Sequence, residues 1–570
     1  MKRLFFLSLA FMLAFMLISC DSGNTGDFKI TLRLPVDLLD DCGDEDGEHT
    51  FCIVETDQVM LSIYSKSAVA DEYVYADRTL IKVTDDKGGK KEFIRSLKKG
   101  AYYRFFAEVT NANEKLKLTG GIDGILYDDK NNYEVSIFLA PVGDFARVVS
   151  DRENYDDKSL ESYVSEAGSK GAAAVALKDG RIYMAGGYDL QEDKVFKKSA
   201  VFDMQSLSRN DVKDLPKELY DHIAALLDDG SETGKVVVGL GTTVDEDDNE
   251  VLNDSIWIYD PESGKYGNPF PVTAMTKAKA ITIDGDVYIV GGCTDSGASN
   301  IVYKFDKSGN AAPVQFATLQ QGRCNHAIAD VSTVNEDGKV IPRILVIGGS
   351  TNAKEGKETP VLGENFAELV TENGSVSVAI TDRNGEDDAE LKTKGLISPA
   401  AVSVLMDDKE EDETIIAVVG GYLRDGEEGN FTWVSSPNLF VFSENGKNAF
   451  VYDKNGTANE CARPSAGLLG SEEKNVIKYV AVNCGVKEVD RIQQNTEKQV
   501  VFVLQVKRVK DSDLGIEVFS SSVKDSLMEG NIDPHSDGEI LDGPVAVDAL
   551  GQVFMLGGMY VYQVGSYAVQ

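Results

Sequence analysis

Between residues 28 and 142 apolar and polar residues alternate in four short runs, Phe28 to Leu34, Val59 to Tyr64, Tyr102 to Val109 and Tyr133 to Leu139, with polar turns between them. Alternation of period two places one face of a strand in a core and the other in water. No βαβ spacing interrupts these runs, so they predict a small antiparallel sandwich. A polar connector follows at 143–165, in which Phe145 to Val149 stands out as one isolated strand.

From residue 166 a second pattern repeats: an aliphatic strand, a turn, a second aliphatic strand and a pair of glycines. Two full copies run from Ala172 to Gly187 and from Ala280 to Gly292, each turning at an Asp-Gly step, Asp179-Gly180 and Asp284-Gly285. The same ending recurs at Ile344 to Gly349, Ile415 to Gly421 and Val553 to Gly558, with degenerate versions at Val236 to Gly241 and Tyr479 to Gly485. A third strand follows most glycine pairs, as in Ile256-Trp257-Ile258-Tyr259 and Ile301-Val302-Tyr303-Lys304-Phe305. Repetition on this scale means stacked supersecondary units that share one continuous core. The glycines are read as architectural, since a backbone without Cβ approaches its neighbours closely and takes φ above zero.

The repeat resembles the kelch family, whose units of about 50 residues are four-stranded propeller blades. Arg323-Cys324-Asn325-His326 fits the Arg-x-x-His that precedes many kelch first strands. Asp221-His222 fits it in part, and Arg463-Pro464-Ser465-Ala466 keeps only the arginine. The tryptophan usual on the outer strand is missing. In the first region, Leu97-Lys98-Lys99-Gly100-Ala101-Tyr102 resembles the turn entering a late strand of immunoglobulin-like modules. Together these resemblances imply an all-β chain in which a seven-bladed kelch-like β-propeller, residues 166–570, is preceded by a small immunoglobulin-like β-sandwich, residues 28–142. Only a short tail follows Gly558, so Phe145 to Val149 is the candidate for a strand that closes the ring.

Ahead of the sandwich, Met1-Lys2-Arg3 is followed by an apolar run from Leu4 to Ile18, too short to span a bilayer and shaped as a signal peptide. Leu17-Ile18-Ser19-Cys20 resembles the bacterial lipobox, which implies a leader of residues 1–19, a lipidated Cys20, a tether at 20–27 and an anchor in the cell-envelope bilayer. An outer membrane or cell surface is expected ahead of the inner membrane, although Asp21 resembles a retention signal for the latter. Six cysteines remain: Cys42, Cys52, Cys293, Cys324, Cys461 and Cys484. Proximity favours pairing each with its neighbour in that order, and none has the spacing of a zinc or thioredoxin-type site.

With 94 acidic against 57 basic residues and a formal charge of -37, phosphate backbones are repelled and a nucleic-acid role is excluded. Enzymatic chemistry finds no support either. His49, His222, His326 and His535 are scattered, neither Trp257 nor Trp433 closes a sialidase-type box, and nucleophile elbows and phosphate loops are absent. No catalytic residue, metal or cofactor is assigned. Asp40 to Glu48 fails the calcium-loop pattern and reads as a solvated loop. Candidate ligand-binding residues lie near the loops after the glycine pairs: Arg323, His326 and Arg463 for an acidic ligand, Asp245, Asp247 and Asp248 for a basic one. The expected activity is non-enzymatic binding of a protein or carbohydrate by one propeller face. The alternative is a carbohydrate-active enzyme of mutarotase or lyase type with its site at the axis.

Overall fold

The computed structural model describes residues 25–33, 58–67, 72–82, 90–110, 116–127, 134–142, 145–148, 160–161, 163, 169–189, 194–245, 247, 249–352, 358–381, 395–405, 413–425, 430–433, 438–443, 448–452, 462–470, 477–485, 501–508, 516–522, 543–556 and 561–566. Among these the only helical segment is a single 3-10 turn at Gly363–Asn365; the rest is strand and turn.

The first region is built from β1 (Thr25–Arg33), β2 (Gln58–Ser67), β3 (Val74–Lys82), β4 (Lys90–Lys98), β5 (Ala101–Thr110), β6 (Leu116–Leu126), β7 (Glu134–Phe138) and β8 (Ala140–Pro141). One sheet has the order β4-β1-β7, with β7 parallel to β1, and the other the order β3-β2-β5-β6-β8. Alternate residues of β1, Phe28, Ile30 and Leu32, share a core with Val59, Leu61 and Ile63 of β2 and with Phe105 and Val109 of β5. Phe28 stacks on Phe105 at 5.3 Å and meets the edge of Tyr127 at 5.2 Å. Each such fully buried side chain contributes about 1.5–3 kcal/mol. At the β4–β5 turn the Tyr103 hydroxyl donates to the Lys98 carbonyl at 2.9 Å and accepts from the Lys98 N–H at 2.8 Å, fastening the corner.

Strands β3, β4 and β6 do not declare themselves by alternation. The first two are sheet edges, rich in charge, and β6 carries Gly120, Gly121 and Gly124 because its surface docks on the second region. A Cβ on Gly121 would come 2.7 Å from Leu550. Its bare backbone instead exchanges two hydrogen bonds with the Gln552 side chain, at 2.9 and 3.0 Å.

The second region is a succession of four- and five-stranded sheets whose paired strands run antiparallel, apart from a parallel pairing of Ala379–Thr381 with Asn448–Tyr452. The first joins Ala173–Ala176, Ile182–Ala185, Ser199–Asp203 and Ser208–Asp211. Those that follow begin with Ile223–Leu227, Lys279–Ile283, Ala327–Asp330, Ala400–Leu405, Ala462–Leu469 and Val545–Val547. Each of these first strands packs beside the next, and Val545–Val547 returns to pack beside Ala173–Ala176. Second strands such as Asp286–Val290 and Ile344–Ile347 are buried along their whole length, because sheets cover them on both sides. That is why they read as unbroken aliphatic runs.

The last sheet is completed from far upstream. Beyond Val545–Val547, Val553–Met555 and Tyr562–Val564, its outer strand is β9 (Phe145–Arg147), antiparallel to Tyr562–Val564 in the register Val564↔Phe145, Gln563↔Ala146 and Tyr562↔Arg147. Val148 extends the pairing by donating its N–H to the Val561 carbonyl at 2.9 Å.

Candidate functional site at the crown

Just before five of the first strands stands a residue in the left-handed region: Gly171 (φ 65), Asp221 (φ 48), Lys277 (φ 55), Asn325 (φ 50) and Ser398 (φ 54). Four of these carry side chains, for which this conformation costs about 1–2 kcal/mol each. What holds them is a chain of backbone bonds from sheet to sheet. Asp221 donates its N–H to the Gly171 carbonyl, Lys277 to Asp221, Asn325 to Lys277 and Ser398 to Asn325, at 2.9, 3.1, 3.4 and 2.8 Å. The result is an arc of linked backbone around the opening where the first strands begin.

Above the arc stand small hairpins that grow from the glycine pairs. They pair Tyr188–Asp189 with Lys194–Val195, Thr242–Val244 with Glu250–Leu252, Cys293–Thr294 with Gly297–Ala298 and Tyr422–Asp425 with Asn430–Trp433. Each is pinned to the approach of a first strand: Tyr188–Asp189 to Ser169–Lys170, Thr242 to Tyr220, Cys293 to Thr276 and Tyr422 to Ile397. A disulfide between Cys293 and Cys324, with Cα atoms 5.3 Å apart, adds a covalent bolt between neighbouring sheets. The other cysteine pairings fall outside the described residues or, at Cys484, on a side chain that is not described. The same is true of Cys20 and of the loop from Asp40 to Glu48.

The glycine pairs make these junctions possible. At Gly291 (φ 57) a Cβ would collide with the Arg323 carbonyl, to which the N–H of Gly292 donates at 2.9 Å. In the degenerate copy Leu240 adopts φ 57 at the position of Gly291, and its side chain is only 1% exposed in the core between sheets. Burial offsets the strain there.

The structure revises the roles expected of the Arg-x-x-His residues. Arg323 is 0% exposed. Its guanidinium donates to the carbonyls of Gly348, Phe366 and Asn365 at 3.0, 3.2 and 2.6 Å and pairs with the Glu368 carboxylate. It therefore has no face toward a ligand, and it cements two adjacent sheets. His326 is equally buried, its ring 3.0 Å from where a Cβ on Gly291 would stand. Burial, with the Arg323 and Lys279 charges beside it, pushes its pKa well below the usual imidazole value, so it is neutral packing. His222 occupies the matching place one sheet earlier than Lys277, and burial lowers it to about 4. Asp245 and Asp247 lie in an exposed hairpin tip, where the Asp245 carboxylate accepts the N–H groups of Asn249 and Asp247, both at 2.9 Å, and so shapes the turn. Asp248 is outside the described residues. Arg463 lies on the strand Ala462–Leu469, and nothing is described of its side chain.

What the tertiary structure brings together at the opening is a different set. Lys277 and Asp221 face each other at 4.0 Å, each mostly buried. Beside them Lys279, the first residue of its strand, is exposed to water, with the Asp221 and Lys277 charges close enough to act on it. Toward the first sheet the Tyr220 hydroxyl donates to Glu250 at 2.6 Å, and the Tyr188 ring lies 5.5 Å from that of Tyr220. One signal in the sequence could have found Lys279: the matching position in four sister strands is Ala173, Ile223, Ala327 or Ala400. Among the described residues, no group of three or more His, Cys, Asp or Glu is placed to hold a metal ion.

Comparison with known proteins places a Kelch motif at residues 276–311, which spans Lys277, Lys279 and the Gly291-Gly292 pair. No curated protein matches the chain. A solved structure described as "Structure of YjhT" is similar at 12% identity with a TM-score of 0.40, covering 63% of this chain and 98% of that one. This is an all-β protein with a kelch motif at its centre, an organisation in keeping with a β-propeller.

Proposed function

We propose that the chain is an exported, lipid-anchored scaffold in which an immunoglobulin-like sandwich carries a seven-bladed kelch propeller, and that the crown of hairpins binds a partner protein. Seven blades are supported by the packing of first strands from Ala173–Ala176 around to Val545–Val547 and back. The immunoglobulin-like reading is supported by the fastened corner at Tyr103 and Lys98. The crown carries the functional reading. Its hairpins are independent of the blade ladders yet pinned to a rigid arc, which is how binding loops are positioned on a scaffold. Kelch repeats in general mediate protein binding, and the acidic tips at Asp245 and Asp247 give this surface a distinct charge.

A photo-crosslinking residue placed at Asp247 should trap one defined protein in the cell envelope, whereas the same residue at Glu262, on the outer edge, should not. Equal trapping from both positions, or none from either, would overturn the crown as the binding face.

Anchoring rests on Leu17-Ile18-Ser19-Cys20. With β1 starting at Thr25, five residues at about 3.4 Å each would hold the sandwich within about 17 Å of the bilayer. The proposed address is the outer membrane or cell surface. Cys20→Ser should move the protein from the detergent phase to the aqueous phase on partitioning; an unmodified Cys20 in the wild type would refute lipidation.

A further inference from the structure

The last sheet lies against the first, Val545–Val547 beside Ala173–Ala176, and these two sheets stand at opposite ends of the second region. Neither sheet contains a cysteine, so no covalent bolt like Cys293–Cys324 can join them. The first region, β1 to β8, touches both sides of this seam. On the side of the last sheet, the Thr119 hydroxyl donates to the Ser566 carbonyl at 2.6 Å and the Gly565 N–H donates to the Pro141 carbonyl at 3.1 Å. On the side of the first sheet, the Ser136 N–H donates to the Gln205 carbonyl at 2.9 Å, and the Gln205 side chain donates to the Glu134 carbonyl at 3.0 Å.

Two side chains go further. Phe138 and Ala140 lie outside the core that β1, β2 and β5 share, and belong to the one built from Ile182, Met184 and Phe202 of the first sheet with Ala546 and Phe554 of the last. Contacts between regions of one chain are by default polar and loosely held. Here an aromatic ring from one region is buried in the core common to both sheets of the other. The Gln552 amide, 2% exposed, is saturated as well: it donates to the Gly121 carbonyl and the Asp548 carboxylate and accepts from the Gly121 N–H and the Gln563 amide.

We propose that the first region is the clasp of the second: docked across the seam, it holds the last sheet against the first, and its undocking is the step by which the seam opens. The clasp depends neither on the crown reading nor on the lipid anchor. Contacts to the two sheets reinforce each other because one folded body bears both, so engagement of one sheet keeps the other within reach. Loss of either set should therefore loosen both sheets, and only at the seam.

Hydrogen exchange of the full chain, followed by peptide mass spectrometry, tests this at 145–148 and 561–566 on the seam, at 286–290 in the third sheet and at 58–67 in the first region. Phe138→Ala should speed exchange of both seam peptides at least about tenfold and leave 286–290 and 58–67 within about twofold of wild type. Thr119→Val keeps the side-chain shape and removes the bond to the Ser566 carbonyl; it should act in the same direction by a smaller factor. Leu61→Ala, fully buried in the core of the first region, should speed exchange at the seam together with that of 58–67, because a loosened clasp releases what it holds. Seam peptides that keep wild-type protection in Phe138→Ala or in Leu61→Ala, or a rise shared equally by 286–290, overturn the proposal. Should Phe138→Ala fail to fold, Thr119→Val and Leu61→Ala decide it by the same criteria.

Discussion

Glu368→Gln should destabilise the protein by about 3–5 kcal/mol, seen as a lower denaturation midpoint, although the substitution conserves shape. The Glu368 carboxylate is 0% exposed and pairs with Arg323 through one oxygen, which also accepts the Gln321 N–H at 3.2 Å. Its other oxygen accepts the Gln320 N–H at 2.7 Å and the Ser375 hydroxyl at 2.8 Å. Either orientation of a glutamine amide turns its NH2 group against a donor, and the Arg323 charge is left uncompensated in the interior. Removing one partner of a buried pair is costly because of the charge that remains, more than because of the attraction lost. The double variant Arg323→Met, Glu368→Gln should therefore cost less than the two single effects added. Asp211→Asn, which breaks the partly exposed pair with Arg209, should cost no more than about 1 kcal/mol. If Glu368→Gln unfolds at the wild-type midpoint, the junction between these two sheets does not depend on the pair.

The second large effect concerns ring closure. Replacing residues 145–148 by a Gly-Ser sequence of equal length keeps the covalent connection but removes the outer strand of the last sheet. Val148 is 0% and Ala146 7% exposed, and both belong to the core shared with Phe554 and Leu556. With the ladder bonds to Tyr562–Val564 lost as well, the cost should be about 3–6 kcal/mol. The free edge left on Tyr562–Val564 is a template for pairing with another chain. A lower melting temperature together with association on size-exclusion chromatography is the expected result. An unchanged melting curve would mean that β9 decorates the sheet without closing it.

How much of this could be read in the chain depends on how far each signal travels. Alternation at Phe28 to Leu34 and Val59 to Tyr64 marks strands because one side of each faces the shared core. The aliphatic runs before Gly187, Gly292 and Gly349 mark second strands because sheets bury them on both sides. The glycine pairs announce themselves because no Cβ fits where one sheet's backbone meets the next sheet's carbonyl. Even the Cys293–Cys324 link follows from proximity along the repeat. Strands β3, β4 and β6 carry no such mark, since edges and docking surfaces follow neither period.

The sequence by itself determined the repeating β units and their glycine junctions, because these are consequences of local burial pattern and backbone freedom. Only the tertiary structure decided that Arg323 serves Glu368, that Asp221 faces Lys277, and in which register the expected closing strand Phe145–Arg147 pairs with Tyr562–Val564. Charge partners and sheet edges are chosen by where the ring brings distant segments together, and no local period of hydrophobicity records that.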